Sequence, residues 1–447
     1  MGRRVARLSA PGPLAQLAKR IAGRTARIGV IGLGYVGLPL AVEFAKEGFR
    51  VTGIDLDPAR VRGVNRARSY ILDVPSDDLR KLRRLRRLRA TSSFNVLGSQ
   101  DAVIICVPTP LRKTREPDMS YILSATKEIA RRVRRGQLVV LESTTYPGTT
   151  DEVVLPALES RGLSAGRDFC LAFSPERIDP GNATYTTRTI PKVIGGITPQ
   201  CTKLASALYG SAIHRTVPVS SAKVAEMVKL LENTFRAVNI GLVNEIALIC
   251  DRLGIDVWEV IAAARTKPFG FMPFYPGPGI GGHCIPSDPM YLAWKVRVHG
   301  FEARFIELAT QINGAMPEYV VEKVAKVLND RRKSLNGSRV LLLGLAYKKD
   351  VGDLRDSPAF DVARLLEERG ARVDYHDPHV PWTELGGARR ASAPLSASTL
   401  RRADCVVILT NHSAVDYGLI LRHAPVIVDT RNQYGSLPRA SSRVVKL

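Results

Sequence analysis

The chain has 447 residues, too many for one ordinary hydrophobic core, so two or three domains are expected. Hydrophobic residues make up 45% and charged residues 24%, which is the balance of a globular protein and excludes an intrinsically disordered one. The 65 Lys and Arg residues exceed the 42 Asp and Glu residues and give a net charge of +23. This excess predicts anionic ligands without choosing among nucleic acid, anionic lipid and phosphorylated small molecules.

The cysteines and the apolar segments indicate the compartment. The six cysteines form no CxxC pair and show no zinc spacing with histidine; they stand at positions 106, 170, 201, 250, 284 and 405. This pattern argues for a reducing compartment and against a disulfide framework or a structural metal. The sequence contains no apolar run of about 18 residues, so it predicts no transmembrane helix. The basic N-terminus lacks the apolar core of a secretory signal. We therefore expect a cytoplasmic protein.

After a basic tail over residues 1–24, the chain alternates strands with helices. The segment LPLAVEFAKEG predicts a helix directly after the first strand. Short apolar runs predict buried strands at 26–33, 49–55, 101–107 and 137–142. This alternation predicts a parallel sheet with right-handed crossovers, and hence a Rossmann-like domain over residues 25–215.

Residues 80–89, RKLRRLRRLR, predict an exposed basic helix in this domain. The leucines that recur every third position, Leu79, Leu82, Leu85 and Leu88, mark one face packed on the protein. The arginines then remain in solvent. Contact with nucleic acid or a membrane is the alternative interpretation.

The middle of the chain is predicted to be helical. Residues 220–265 keep a period near 3.6 over many turns, and such a long helix connects domains or packs against a second chain. We assign residues 216–330 to this central domain.

A second, smaller α/β domain is expected over residues 331–447. Its predicted strands lie at 339–345, 372–376, 404–409 and 425–429. The predicted fold class is therefore α/β, with two Rossmann-like doubly wound parallel-sheet domains joined by a long helical connector.

The motif Gly32-Leu-Gly34-Tyr35-Val36-Gly37 follows a strand and opens a helix, which is the context of a dinucleotide-binding turn. Gly32 permits the tight turn, Gly34 lets the backbone approach a pyrophosphate, and Gly37 lets helix and sheet pack closely.

An acidic residue follows this motif at the expected distance. Asp55 ends the second strand, where a carboxylate accepts from the ribose hydroxyls of NAD. The nearby Arg60 leaves NADP open, because an arginine also binds a 2′-phosphate.

A second motif, GIGGHCIPSD, surrounds a cysteine with glycines. These glycines leave the Cys284 thiol open to a substrate. A thiol of ordinary pKa, about 8.5, is mostly protonated at neutral pH, so reactivity needs a nearby cation. Lys229 is a candidate, and it shares a helix face with Asn233 at i and i+4. No residue is spaced to complete a metal site with His283, which favours a structural or substrate-contact role.

Basic residues follow two strands of the second α/β domain. Lys348 and Lys349 come after the strand at 339–345, and Arg431 after the strand at 425–429. A phosphate or uridine diphosphate group would bind there. Ordinary surface lysines are the alternative.

Seven motifs, in order, are similar to those of the UDP-glucose/GDP-mannose dehydrogenase family. They are GLGYVGLP at 32–39, VPTP at 107–110, ESTTYPGTT at 142–150, FSPERIDPGN at 173–182, KLLENTFRAVNIGLVNE at 229–245, GPGIGGHCIPSDP at 277–289 and LAYKKDVGDLRDSPA at 345–359. The resemblance covers roughly residues 25–440. The histidine before the cysteine, together with STTYPGTT and FSPER, resembles the branch that acts on UDP-N-acetylated hexosamines.

This resemblance implies a four-electron oxidation of the C6 alcohol of a UDP-sugar to the uronate, with two NAD+, for polysaccharide precursor synthesis. It favours UDP-N-acetylglucosamine as the substrate, with UDP-N-acetylmannosamine and UDP-glucose as alternatives. Cys284 is expected to form a thiohemiacetal and then a thioester, which holds the intermediate until water hydrolyses it. A homodimer or higher homo-oligomer is expected.

The resemblance also assigns roles at matching positions. The expected catalytic residues are Cys284, Lys229, Asn233, Asp288, Glu176 and Thr144. The expected NAD contacts are Gly32, Gly34, Tyr35, Val36, Gly37, Asp55, Arg60, Thr109, Thr144 and Arg355. The expected substrate contacts are Glu176, Lys229, Asn233, Gly281, His283, Lys348 and Arg431. Lys229 and Asn233 would stabilise oxyanions, and Glu176 would be the general base of thioester hydrolysis.

Two rival functions remain open at this point. The arginine runs favour a catalytically dead nucleic-acid-binding scaffold, whose binding would depend steeply on salt. A two-electron hydroxyacid dehydrogenase of the 6-phosphogluconate type shares the Rossmann domain and the long helix. It would lack the catalytic cysteine and the second α/β domain, and it would yield one NADH per substrate instead of two.

Overall fold

Apolar runs that end in glycine or polar residues form parallel strands in both halves of the chain. The structure is a computed structural model that describes residues 12–71, 73–112, 116–178, 184–435 and 443–447. Two compact units divide the chain, Met1–Glu232 and Asn233–Leu447. The division into three domains stays a prediction.

The first unit contains an eight-stranded sheet among its described residues. Its strands are β1 (Arg27–Ile31), β2 (Arg50–Ile54), β3 (Leu88–Thr91), β4 (Ala102–Ile105), β5 (Leu138–Leu141), β6 (Cys170–Phe173), β7 (Lys192–Gly196) and β8 (Thr216–Val219). Their order is β3-β2-β1-β4-β5-β6-β7-β8, and every neighbouring pair is parallel except β6 and β7. The order 3-2-1-4-5-6 is that of a doubly wound dinucleotide-binding sheet, so the predicted fold class is confirmed.

Helices cover both faces of this sheet. They are α1 (Pro13–Ala22), α2 (Gly37–Lys46), α3 (Pro58–Asn65), α4 (Ser76–Arg84), α5 (Ser120–Ala130), α6 (Leu155–Glu159) and α7 (Pro199–Tyr209). Successive residues of β4 belong to opposite layers: Ile104 packs with α1, α2 and α7, whereas Ile105 packs with α5 and α6. This alternation places one core layer on each face of the sheet.

The N-terminal segment expected to be a basic tail is partly a packed helix, so that expectation is wrong for residues 13–22. Leu14, Leu17 and Ile21 of α1 are buried in the first core layer. Their spacing of three and four residues places them on one helix face, and Arg20 bonds Asp101 at 2.6 Å. Residues 1–11 of the predicted tail lie outside the described residues.

The arginine-rich helix is shorter than the sequence suggested. Leu79 and Leu82 of α4 are buried as expected, but α4 ends at Arg84 and Leu85 is 58% exposed. Leu88 belongs to strand β3 instead. Because 3.6 residues make one turn, a three-residue spacing drifts around a helix and cannot keep four leucines on one face.

The long central helix is two helices. Helix α8 (Ala222–Leu253) is followed by α9 (Val257–Ala264), where the sequence predicted one element over 220–265. Gly254, with φ +68°, ends α8, and the Asp256 side chain caps α9 by accepting from the backbone N–H of Trp258.

The second unit contains a smaller parallel sheet. Its strands are β9 (Arg339–Leu343), β10 (Arg372–His376), β13 (Cys405–Ile408), β14 (Ile427–Asp429) and β15 (Val444–Lys446), in the order β10-β9-β13-β14-β15; a hairpin is formed by β11 (Trp382–Leu385) and β12 (Ala388–Ala391). Its helices are α10 (Cys284–Arg297), α11 (Arg304–Asn329), α12 (Pro358–Glu368), α13 (Ala397–Arg402) and α14 (Tyr417–His423).

Alternate residues of β9 again face two core layers. Leu342 packs in the layer of α11 and α12, whereas Leu341 packs in the layer of α13 and α14. The four strands predicted for this domain are therefore confirmed. Throughout the part of the chain that the structure describes, each helix is too short or too polar to cross a membrane.

Candidate active site

The turn between β1 and α2 has the geometry of a dinucleotide-binding loop. Gly32 has φ +91°, and a Cβ there would lie 2.3 Å from the carbonyl oxygen of Cys106. A Cβ at Gly37 would lie 1.9 Å from the carbonyl oxygen of Gly32. At Gly34, in contrast, a Cβ would meet only the Arg60 guanidinium, at 3.9 Å, among the described residues. Packing therefore requires two of the glycines, while the space beside Gly34 suits an approaching ligand.

The carboxylate of Asp55, just beyond β2, fixes this turn. It accepts from the backbone N–H of Leu33 at 2.7 Å and from that of Asp57 at 2.8 Å. The Arg60 guanidinium lies 3.3 Å from the same carboxylate. A buried acid at the end of the second strand is the position that accepts from a ribose hydroxyl. The donor set thus fits a dinucleotide.

The other predicted NAD contacts of this unit lie on the same sheet edge or at the turn. Thr109 follows β4 and is buried, and Thr144 follows β5 and is half-buried. Tyr35 is exposed, whereas Val36 packs against the core. The carboxyl ends of neighbouring parallel strands meet at this edge, where open α/β sheets bind ligands.

A buried acid also holds the loop that follows Thr144. Glu226 of α8 accepts from the backbone N–H of Gly148 at 2.6 Å and from that of Thr150 at 2.9 Å. Burial raises the pKa of Glu226 to about 7. Glu226 thus caps the short helical turn that begins at Thr150.

Two carboxyl groups and one ammonium are buried together beyond β5, β6 and β7. The Lys192 ammonium contacts the carboxylate of Glu142 and lies 2.9 Å from that of Glu176. The Tyr209 hydroxyl also bonds to Glu142. Because β7 runs antiparallel to β6, Lys192 at its start reaches the edge where β5 ends. Sequence reasoning proposed only Glu176 of these four residues.

The predicted base is held firmly in this cluster. One oxygen of Glu176 accepts from the backbone N–H groups of Arg177 and Ile178, both at 2.7 Å. Burial raises the pKa of Glu176, but the opposing contributions, of which Lys192 gives the largest and Lys229 a smaller one, together lower it. The structure thus brings Lys229 and Glu176 into one electrostatic environment.

In the second unit, the predicted nucleophile stands at the beginning of α10. Cys284 is the first residue of that helix and is exposed, whereas the other five cysteines are buried. A helix N-terminus stabilises negative charge. Asp288 follows one turn later on the same helix face, and Asn233 donates to its carboxylate at 2.5 Å. Three of the predicted catalytic residues therefore come together.

The glycines before Cys284 are set by packing. A Cβ at Gly281 would lie 2.5 Å from the Cβ of Tyr347, and a Cβ at Gly282 would lie 2.8 Å from the aromatic ring of Tyr347. The backbone N–H of Gly282 donates to the carbonyl of Arg355 at 2.9 Å. The cysteine loop is thus docked on the segment that contains Lys348, while His283 immediately precedes α10.

Arg431 lies beside the backbone before the cysteine loop. A Cβ at Gly277 would lie 2.6 Å from its guanidinium, whose Nε donates to the Leu409 carbonyl at 2.7 Å. The backbone N–H of Arg431 donates to Asp429 at 3.0 Å, but its guanidinium forms no ion pair with a described residue. Burial lowers the pKa of Arg431 to about 10, so an anionic partner would stabilise its charge. Arg355 instead pairs with Asp353 at 2.6 Å.

The polar cluster around His412 is a hydrogen-bond network. Asp350, His379 and His412 offer three metal-ligand atoms within 4.8 Å of one another. The backbone N–H of Asp350 donates to Nδ1 of His412 at 2.9 Å, and Nε2 lies 3.2 Å from Asp377. Both ring nitrogens are therefore engaged without a metal.

The doubly wound sheet and its glycine turn define a dinucleotide-binding protein. The chain belongs to the UDP-glucose/GDP-mannose dehydrogenase family. The NAD binding domain of that family matches residues 26–213, its central domain residues 223–315, and its UDP binding domain residues 341–436. The protein is accordingly an NAD-dependent UDP-sugar dehydrogenase with an NAD-binding and a UDP-binding domain.

Individual relatives match most of the chain. The UDP-N-acetyl-D-glucosamine 6-dehydrogenase of Pseudomonas aeruginosa is 40% identical over 79% of this chain and 83% of its own length. The UDP-N-acetyl-D-mannosamine dehydrogenase of Yersinia pestis is 37% identical over 86% of this chain and 93% of its own. The solved structure of the UDP-D-ManNAc dehydrogenase from Pyrococcus horikoshii superposes with a TM-score of 0.85 at 33% identity, covering 94% of this chain and 98% of that one.

Proposed function

We propose that this enzyme oxidises the C6 alcohol of a UDP-N-acetylhexosamine, UDP-N-acetylglucosamine in the first place, to the uronate. One alcohol, one water and two NAD+ would give one carboxylate, two NADH and three protons. Bound NAD+ would accept one hydride from C6 in each of the two oxidation steps. A uronate product suits polysaccharide precursor synthesis, in which a glycosyl transferase consumes it.

The observation that supports this proposal is the exposed thiol of Cys284 at the head of α10. A nucleophile there adds to the aldehyde carbonyl after the first oxidation and gives a thiohemiacetal. Loss of the second hydride converts this adduct into a thioester. Water then forms the new C–O bond, the C–S bond breaks, and the thiolate leaves.

The neighbouring residues would supply charge and proton transfer. Asp288, fixed by the Asn233 amide at 2.5 Å, lies one turn after the thiol and would accept its proton. Lys229 would stabilise the oxyanion. Glu176 would take a proton from the attacking water, with Thr144 ordering that water.

The UDP group would bind in the second unit. Arg431 has no ion-pair partner among the described residues, and its planar guanidinium suits a phosphate. Lys348 belongs to the segment on which the cysteine loop is docked. We propose that both contact the nucleotide.

The sugar assignment depends on relatives. UDP-N-acetyl-D-glucosamine 6-dehydrogenases of Pseudomonas aeruginosa and Salmonella typhi are 40% and 36% identical to this chain. The 37% identity to the mannosamine enzyme of Yersinia pestis favours UDP-N-acetylmannosamine as the second candidate. The two sugars differ only in the configuration at C2.

The decisive assay measures NADH release with a panel of UDP-sugars. We expect two NADH per uronate formed and the highest kcat/KM for UDP-N-acetylglucosamine. Cys284→Ala should abolish uronate formation while NAD+ still binds. Cys250→Ala is the matched control, because that thiol is buried elsewhere. One NADH per substrate, or full uronate formation by Cys284→Ala, would refute the proposal.

We also propose a homodimer in the cytoplasm. Within the second unit, α8 exposes Phe235, Leu242 and Ile249 at seven-residue intervals, with 45%, 55% and 45% of each side chain in solvent. An apolar stripe of this kind suits a second copy of the same helix. Sedimentation should give twice the chain mass of 48.9 kDa. A reduced catalytic thiol requires a reducing compartment.

A further inference from the structure

The buried cluster around Lys192 contains more acids than its lysine can neutralise. Glu142, Glu176, Lys192 and Tyr209 are each 9% exposed or less. With both carboxyls ionised, this apolar environment would hold two negative charges and one positive charge. An unbalanced buried charge is costly, so the cluster retains one proton near neutral pH.

The contacts indicate where that proton rests. Both oxygens of Glu176 already accept bonds from charged or backbone donors, namely Lys192, Arg177 and Ile178. The carboxyl group of Glu142 accepts from two donors among the described residues, Lys192 and the Tyr209 hydroxyl, and no backbone N–H donates to it there. Burial raises the pKa of Glu142, whereas that of Glu176 is lowered. The proton therefore belongs to Glu142.

We propose that Lys192 is a positioning residue that keeps Glu176 ionised and in one orientation for thioester hydrolysis, and that Glu142 tunes its basicity by gaining or losing a proton. This inference rests on the proposed function, in which Glu176 is the general base. In the hydrolytic step the water oxygen bonds to the acyl carbon and its proton goes to Glu176. The C–S bond breaks, and the sulfur leaves as the Cys284 thiolate.

The titratable groups around the pair come from four elements. Tyr209 of α7 and Cys106 beyond β4 face Glu142, Lys192 of β7 faces both acids, and Lys229 of α8 faces Glu176. Burial raises the pKa of Cys106 and Tyr209 well above their ordinary values, so both stay neutral. Lys192 is then the cation in direct contact with both acids.

The sign of the effect follows from this arrangement. Without the ammonium that both acids contact, two buried carboxyl groups would face each other with no cation between them, and the pKa of Glu176 would rise. When Glu142 loses its proton at higher pH, the added negative charge makes Glu176 a stronger base. Hydrolysis should therefore quicken as the pH rises through neutrality.

The experiment uses the full-length enzyme with the UDP-sugar that the wild type oxidises. Rapid quenching and intact mass measurement follow the adduct on Cys284 across pH, while absorbance follows NADH. Lys192→Met should form the first NADH at the normal rate and then accumulate the adduct. Its hydrolysis of the adduct should be about tenfold slower for each unit by which the substitution raises the pKa of Glu176. Lys192→Arg should restore hydrolysis because it keeps the charge.

The matched control removes an ion pair elsewhere whose lysine is buried and whose acid is 42% exposed. Lys323 contacts Asp251 at 2.9 Å in the second unit and is 8% exposed. Lys323→Met should lose stability without a change in the pH profile. If Lys192→Met hydrolyses the adduct with the wild-type profile, or slows the first NADH equally, the positioning role is refuted.

A second variant keeps the test independent of folding. Glu142→Gln imitates the protonated acid. It should therefore leave the rate of adduct hydrolysis unchanged below neutral pH and remove the increase in that rate above neutral pH. An unchanged rise would overturn the tuning role. Failure of the proposed function itself looks different, because neither the wild type nor Glu176→Gln would then show an adduct on Cys284.

Discussion

Gly34→Ala tests whether Gly34 is required for ligand binding, whereas Gly32 is required for packing. Among the residues that the structure describes, a Cβ at Gly34 meets only Arg60, at 3.9 Å, which is ordinary contact, and the backbone φ of Gly34 is not positive. Alanine there should leave the unliganded protein unchanged or stabilise it by about 0.4–1 kcal/mol through the unfolded chain. Gly32→Ala places a Cβ 2.3 Å from a carbonyl oxygen at φ +91° and should cost about 3 kcal/mol or more.

The measurement pairs urea unfolding with calorimetric titration of NAD+. Gly34→Ala should keep the wild-type unfolding midpoint and weaken NAD+ binding at least about tenfold, or about 1.4 kcal/mol, because the methyl group occupies the space of the pyrophosphate. Gly98→Ala is the matched control: its Cβ would likewise meet only one atom, the Arg132 carbonyl oxygen at 3.9 Å. Wild-type NAD+ affinity in Gly34→Ala would refute the assignment of the turn.

Three further changes test the loops and the anion site. Burial raises the pKa of Glu226 from 4.5 to about 7, so the stability that the protonated acid contributes at low pH is lost as the pH rises through about 7. Glu226→Gln should reduce this loss of unfolding free energy by up to ~3 kcal/mol, measured by urea unfolding at several pH values. Parallel stability curves for the variant and the wild type would contradict the prediction. Gly281→Ala places a Cβ 2.5 Å from Tyr347 and should lower the free energy of unfolding by about 1–3 kcal/mol. Gly314→Ala, whose Cβ meets no described atom within 4 Å, should instead stabilise α11 by about 0.5–1 kcal/mol. Equal melting temperatures of the two variants would refute the packing argument. Arg431→Lys keeps the charge but loses the fork, so calorimetry should show UDP binding about tenfold weaker, and unchanged affinity would exclude a bidentate phosphate contact.

Strands and the glycine turn were predictable because their signals are local. A buried parallel strand is a short apolar run, and the turn after β1 needs glycine at fixed offsets. Helix α1 was missed although Leu14, Leu17 and Ile21 have helical spacing, because its basic composition suggested a tail. The end of α4 was missed because its leucine repeat of three was given more weight than the 3.6-residue period. These errors had signals in the sequence that would have corrected them.

The buried acid cluster had no comparable signal. Lys192 opens an apolar strand and, in sequence, resembles any surface lysine. It meets Glu142, 50 residues earlier, only because β5, β6 and β7 are neighbours and β7 is reversed. Strand order and direction are properties of the whole sheet, so a contact between three strand ends cannot be derived from any local pattern. The sequence motif was sufficient to identify Glu176, whereas Lys192 and Glu142 could be identified only from the structure.

The two sheets build the same turn and use its acid differently. Gly32 and Gly344 have φ +91° and +80°, and the backbone N–H of each donates across to the neighbouring strand, at 2.8 and 2.9 Å. Asp55 and Asp377 each accept from the backbone N–H that follows the glycine, at 2.7 and 2.8 Å. One structural device therefore occurs in both units.

The difference lies in what else each acid contacts. Asp377 is 1% exposed, and its Oδ2 also lies 3.2 Å from Nε2 of the fully buried His412. Asp55 has instead the guanidinium of Arg60, half in solvent, as its neighbour. The first acid, at 8% exposure, is therefore less enclosed by protein groups than the second. The second turn thus serves to hold the segment that contains Lys348, because Asp377 accepts from the backbone N–H groups of Leu345 and Ala346.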